Sequence, residues 1–438
     1  MLIISQFLGT MPQMQLAVAN AFDVHALVLV ILGGATLLSL GRLPQLRHAQ
    51  FLGPVTLLLA LWLLAVLLPV ARRDSSLWFA IQGSREFMMV FAYIPATLFF
   101  RSERDSTWAW RSLIALGIAY CCIELVAQLG GATLLRRLTY SYRPDFYGLW
   151  KVYFPFWTVI LVAAGFGFYM YLAGRRRYLW LLFVGLAGVL LTFYRSYALA
   201  TMVAFPLVAV LAKRSKAIRS GATMEVAALI TGGLLLVGLA AGGLKVVSNY
   251  SEQFAGSGVT ELAGKAGSSL LAREAYATVL RPLAQERPLL GYGFIYRKAA
   301  VMSKLHLSAF AGSVLGFVDR GDMDLRIKFG YLGGLVLLLA FCLIAWRCIA
   351  IARATAEPEL AASSLTIAAV IVTGFMVLPV HAPFSYSFSL LPLAIALGIV
   401  DGQVIRRRHL SSAERFVYTH PSSGSGRVRD QRIHSGIR

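Results

Sequence analysis

The sequence predicts an all-α, polytopic transmembrane bundle, and three observations predict it. Of 438 residues, 58% are apolar and only 14% charged, against about 45 to 50% and about 25% in a soluble domain. Mean hydropathy is +0.70. The apolar residues are gathered into runs near the roughly 20 residues that cross a bilayer. A water-soluble globule is excluded.

Taken in order, the runs fall at 24–40, 53–70, 87–100, 108–128, 150–172, 178–193, 196–212, 226–243, 331–346, 365–378 and 388–400. That gives about eleven spans, with a range of 10 to 12. Residues 2–22 are half apolar but broken by Gly9 and Pro12, which suits an interfacial segment or a weak further crossing. The first twenty residues hold no Lys or Arg, so no basic region of a cleavable signal is expected. The organisation expected is eight spans over 1–244, one long loop over 245–330, three spans over 331–400 and a polar, basic tail over 401–438. Its Ser, Gly and Arg content reads as disorder. Cys121, Cys122, Cys342 and Cys348 lie within or at the ends of apolar runs, so neither a disulfide framework nor a zinc site is expected.

Orientation follows from the Lys and Arg asymmetry of short loops. One set carries Arg42, Arg47, Arg101, Arg104, Arg175, Arg176, Arg177, Lys213, Arg214, Lys216, Arg219, Arg347, Arg353 and Arg406 to Arg408. That set reads as cytoplasmic, together with the C-terminus. The long loop and the charge-free loop around His381 then face outward. Two outward loops break the rule. Arg72, Arg73 and Arg85 follow the second run, and Arg136, Arg137, Arg143 and Lys151 follow the fourth, against only Asp74, Glu86 and Asp145. Snorkelling to headgroups is one reading of these cations; an outward-facing site for an anionic lipid-linked substrate is the other. The net charge of +21 is mostly topology, and no nucleic-acid-binding motif accompanies it.

Two places carry candidate chemistry. Arg195 stands in LTFYRSYALATMV between two apolar runs, where a guanidinium at membrane depth costs roughly 2.5 to 3.5 kcal/mol. An anionic partner should offset that cost, either a substrate or Glu124, the one carboxylate deep in an apolar run. The second place is SSLLAREAYATVLRPLAQERPLLGYGF. Leu270, Leu271, Tyr276, Val279, Leu280 and Leu283 recur at helical spacing beside Arg273 and Glu274, and Pro288 and Gly291 end the helix. An exposed surface helix laced with charges fits the same pattern. Aromatic residues crowd the loop before the fifth run, Tyr140, Tyr142, Phe146, Tyr147 and Trp150; they suit an interfacial belt or stacking on sugar rings.

An arginine on a helix followed by a Pro-Leu-Leu-Gly-aromatic-Gly turn resembles the central signature of the bacterial O-antigen ligase and O-antigen polymerase superfamily. TFYRS at 192–196 is similar to the family's arginine that opens a span, with Tyr194 where serine is commoner, and DRGDMDLRIKFGYLGGL from Asp319 is similar to its segment entering the next span. The resemblance covers roughly 179–346. It implies a GT-C-like helical membrane glycosyltransferase whose long periplasmic loop contains helices. Ligases of the family hold a histidine about eleven residues before the glycine matching Gly330; that register here gives Asp319, and an acidic residue there is similar to polymerase-like branches. His306 and His381 are out of register and read as structural.

The chemistry so implied is transfer from an undecaprenyl-diphosphate-linked glycan to a glycan or lipid acceptor at the outer face of the inner membrane, with no cofactor and no metal. Arginines in a poorly hydrated cleft stabilise the departing diphosphate through charge-assisted hydrogen bonds. Arg195 and Arg273 are the residues expected in that role, with Arg72, Arg136 and Arg143 as substrate-binding helpers. Asp319 is the expected base, with Asp322, Asp324 and Glu274 as rivals. The acidic cluster equally fits a solvated pre-span turn with helix-capping aspartates. Polymerisation of exopolysaccharide or O-antigen repeat units is the favoured reading, a chain-length regulator being a fitting partner. Ligation of a finished glycan is the near alternative. A flippase is the alternative of another class, but it predicts polar residues along many spans and internal repeats, and neither is evident.

Overall fold

The computed structural model describes residues 24–128, 142–144, 150–152, 157–191, 195–219, 278, 280–294, 321–379, 381–384 and 387–419, with Arg143 and Arg195 among those described by backbone alone. The described residues are helical apart from one antiparallel pairing of two three-residue strands, β1 (Tyr142–Pro144) and β2 (Trp150–Val152). The helices are α1 (Val24–Leu38), α2 (Leu52–Ala71), α3 (Leu77–Ser84), α4 (Tyr93–Phe99), α5 (Glu103–Gln128), α6 (Trp157–Leu172), α7 (Leu179–Leu191), α8 (Arg195–Leu211), α9 (Gly321–Ala354), α10 (Pro358–Val377) and α11 (Ser387–Thr419). Five are long and apolar enough to cross a membrane: Leu52–Ala71, Glu103–Val126, Gly321–Ala354, Pro358–Val377 and Ser389–Arg408. The protein is a membrane-embedded helical bundle.

The run 226–243 lies outside the described residues, and each of the other ten expected runs falls on a helix. Three differ in detail. Residues 150–152 form β2 and α6 begins at Trp157. The run from Phe87 opens as a 3-10 turn, Phe87–Ala92, before α4. The tail does not begin at Asp401: α11 continues through it to Thr419. Its polar side chains there find partners, Arg406 on Glu103 and Arg407 on Glu357, which composition by itself does not reveal.

Helices α6 and α10 form the centre. Fifteen of the 16 residues of α6 are buried; α6 packs against α5, α7 and α10, and α10 also against α8, α9 and α11. Close approach comes from small residues: a Cβ on Gly185 of α7 would overlap Ala164 of α6, the packing by which helices associate in lipid. The outer helices keep apolar stripes exposed, Leu199, Val203 and Val210 on α8 and Leu332, Leu335 and Leu339 on α9, whose favourable environment is hydrocarbon.

The bundle has two distinct ends. One gathers the basic loops, held by Ser215 Oγ donating to the Ala352 carbonyl at 2.5 Å, Gln403 donating to Ser106 Oγ at 3.2 Å and Arg408 donating to the His48 carbonyl at 3.2 Å. Its anchor is Asp401, 0% exposed, which accepts from Gln50 N at 2.7 Å, Phe51 N at 2.9 Å and Tyr93 Oη at 2.5 Å. A carboxylate from α11 thereby caps the N-terminus of α2, where unsatisfied N–H groups and the helix dipole favour negative charge. Arg347 of α9 donates to the Gln50 carbonyl beside it. The other end gathers the C-terminus of α2, residues 286–294, the start of α9 and residues 377–384.

Candidate functional site

The turn at 288–294 is fastened to the bundle by main-chain atoms. Tyr292 N donates to the Ile327 carbonyl at 2.7 Å and Gly293 N to Lys328 at 2.9 Å; Tyr331 N and Leu332 N return bonds to Pro288 and Leu289 at 2.7 and 3.0 Å; Phe294 N reaches the Ala65 carbonyl of α2 at 2.9 Å. These bonds require a break in α9, and Gly330 supplies it with φ 64 and ψ −169, a conformation open essentially to glycine. Residues 321–329 thus form a short helix set off from the membrane-crossing part of α9. Beneath the turn, Phe294, Phe329 and Phe87 pack with ring centroids 5.5 to 5.8 Å apart.

Gly291 and Gly293 have φ of +63 and +80, and a Cβ on Gly293 would overlap the Ala65 carbonyl oxygen. Gly293→Ala is therefore expected to lower stability by more than the roughly 1 to 2 kcal/mol of left-handed backbone strain, because the Ala65 contact must open as well. An unchanged thermal unfolding midpoint of the variant in detergent would refute this account of the turn.

The C-terminus of α2 brings Arg72 and Asp74 to this turn. Arg73 N donates to Val70 and Asp74 N to Pro69 at 3.0 and 2.9 Å, the paired bonds of a Schellman ending with Arg73 in the left-handed position at φ 60. That conformation costs an arginine about 1 to 2 kcal/mol. It turns buried Asp74 onto Arg287, which forms an ion pair with it. Arg287 also lies 4.3 Å over the Tyr292 ring, and Tyr292 Oη donates to Glu286 Oε2 at 2.5 Å. The Asp74 carboxylate holds the Arg287 guanidinium pKa above its ordinary value, and burial, then the Glu286 carboxylate, push the Tyr292 phenol up. Arg72 donates to the Gly291 carbonyl at 2.8 Å. Its role is thus partly that of a clamp on the turn, though the side chain stays exposed.

At the other end of the 321–329 helix a second group assembles. Asp322 N donates to the Leu378 carbonyl at 3.2 Å and His381 N to Val377 at 2.8 Å, and a Cβ on Gly321 would overlap the His381 carbonyl oxygen. The His381 ring stacks on Tyr197 of α8 at 5.1 Å and 27°, and Trp157 of α6 packs on the same tyrosine at 4.4 Å. Asp324 is 1% exposed and paired with Lys328 at 2.7 Å. Asp324 is therefore not a solvated turn residue but is paired with its lysine. With 1.5 Å of rise per residue, the two groups stand on the order of 12 Å apart along one helix.

Of the expected site residues, Arg273, Glu274, Asp319 and Arg136 lie outside the described residues. Arg143 is placed by backbone in β1 and Arg195 by backbone as the first residue of α8. Tyr197 is two residues beyond Arg195, and Gly321 two residues beyond Asp319; both meet the 377–381 segment. Leu280 and Leu283 are buried while Arg281 and Glu286 are exposed, as the helical stripe requires. Glu124 is 0% exposed, with neither carboxylate oxygen hydrogen-bonded among the described residues. Arg287, Tyr292 and His381 were legible only as neighbours of motifs, since their partners Asp74, Ile327 and Tyr197 lie on other elements of the chain.

The fold and this end of the bundle define a membrane-embedded helical protein with a short, glycine-hinged helix carrying ionisable groups at both ends. Comparison with protein families and with curated proteins finds no match.

Proposed function

We propose that the chain is a metal-independent glycosyltransferase of the O-antigen polymerase and ligase type. It would take an undecaprenyl-diphosphate-linked glycan at the periplasmic face of the bacterial inner membrane and transfer it to a glycan or lipid acceptor. In this reading about eleven spans cross the bilayer, 245–330 is the periplasmic loop, and the end bearing Arg347, Arg353 and Arg406 to Arg408 is cytoplasmic. The observation that carries the reading is the meeting of the first turns of α8 and α9 on the 377–381 segment, through Tyr197, two residues after Arg195, and Gly321, two residues after Asp319. The cationic loop of Arg72 and Arg73, docked on the 288–294 turn at the same end of the bundle, supports an anionic substrate, because positive charge on a translocated loop opposes insertion.

Polymerisation of repeat units is the reaction preferred. A deletion strain, its lipid-linked glycans and surface polymer sized on a gel, is expected to accumulate single lipid-linked repeats and to lose long polymer. Long chains left unattached would instead make the protein a ligase, and an unaltered glycan profile would refute glycosyl transfer.

A further inference from the structure

We propose that His381 is the general base that takes the proton of the acceptor hydroxyl, an inference that rests on the glycosyl-transfer reading. The family resemblance implies Asp319 for that task and leaves His381, some sixty residues further along the chain, out of register. Distance along the chain is not distance in the fold. The 377–381 segment closes over the start of α9: Asp322 N bonds to Leu378, and Gly321 is close enough to the His381 carbonyl that only a glycine fits. The His381 main chain is thus set against the first turn of α9. Its ring stacks on Tyr197, two residues after Arg195, and Trp157 packs on the same tyrosine.

Three features suit this side chain to proton transfer. It is partly buried and its ring stacks on Tyr197, and a general base needs a set orientation. It belongs to the one side-chain type whose ordinary titration lies near neutrality, whereas a carboxylate must be shifted upward to reach comparable base strength. Of the described carboxylates on this turn, Asp324 is paired with Lys328.

In the step so assigned, the acceptor hydroxyl oxygen forms the new bond to the anomeric carbon. The bond from that carbon to the diphosphate oxygen breaks, and its electron pair leaves with the diphosphate. The hydroxyl proton passes to the imidazole and from there to water.

The test uses the full-length protein in nanodiscs with lipid-linked glycan extracted from the deletion strain. His381→Phe keeps an aromatic ring for Tyr197 to stack on but removes the base, and His381→Ala opens a space that free imidazole can enter. Both variants are expected to lose about 100- to 10,000-fold in turnover while binding undecaprenyl diphosphate as the wild type does. Added imidazole should restore at least tenfold of the loss in His381→Ala. Turnover of His381→Phe within threefold of wild type would overturn the proposal and leave glycosyl transfer standing, as would loss of diphosphate binding in both variants, which marks a structural role. Asp319→Asn dead with His381→Phe active returns the base to Asp319. If the wild type transfers nothing from this donor, the underlying reading fails and the histidine's role goes with it.

Discussion

Replacing Arg195 or Arg273 by alanine is expected to cut transfer by about 100- to 1,000-fold, the usual loss when one preorganised donor to a developing negative charge is removed. Under the proposed reaction the charge appears on the departing diphosphate, and a guanidinium holds two of its oxygens at once, which an ammonium cannot reproduce. Lysine at either position should therefore recover little. The protein should still insert, because α8 remains apolar beyond its first residue and losing a charge from membrane depth favours insertion. Lipid-linked repeats should accumulate in cells carrying either variant. Normal polymer from both would end the assignment of these arginines.

The largest effect on stability is expected from Asp401→Ala. That change removes three hydrogen bonds at once, leaving the Gln50 and Phe51 N–H groups and the Tyr93 hydroxyl without their acceptor and Arg347 beside them without a counter-charge. Removing one partner of such a buried set costs about 3 to 5 kcal/mol. Asp401→Asn keeps one acceptor oxygen and should cost less. Unfolding in mixed detergent micelles checks the order: wild type, then Asn, then Ala. An alanine variant as stable as the wild type would mean that water or a neighbouring group satisfies the N-terminus of α2.

Much of the helical layout was legible in the sequence, because membrane-crossing helices are written in long apolar runs that hydrophobicity alone detects. What escaped depends on contacts between distant residues. The continuation of α11 past Asp401 hinges on Arg406 and Arg407 meeting Glu103 and Glu357, and a local reading of Ser, Gly and Arg cannot see those partners. The two glycines of the 288–294 turn were legible as a motif, and their use was not: nothing in PLLGYGF says that its N–H groups bond to Ile327 and Lys328. His381 was hidden for the same reason. Its sequence neighbours are apolar and uninformative, and its significance comes from Tyr197 and Gly321, which reach it from other helices.

Fastening by main-chain atoms has a consequence for how such a chain can diverge. At 288–294 nearly every anchoring group is one that all amino acids possess, so Leu289, 61% exposed, can be exchanged freely while the attachment survives. Gly293 and Gly330 have no such latitude, since any larger residue collides or strains. Lineages descended from a common ancestor would thus drift apart in spelling while preserving the spacing of a few glycines, and their kinship would be visible in geometry long after it had faded from pairwise identity.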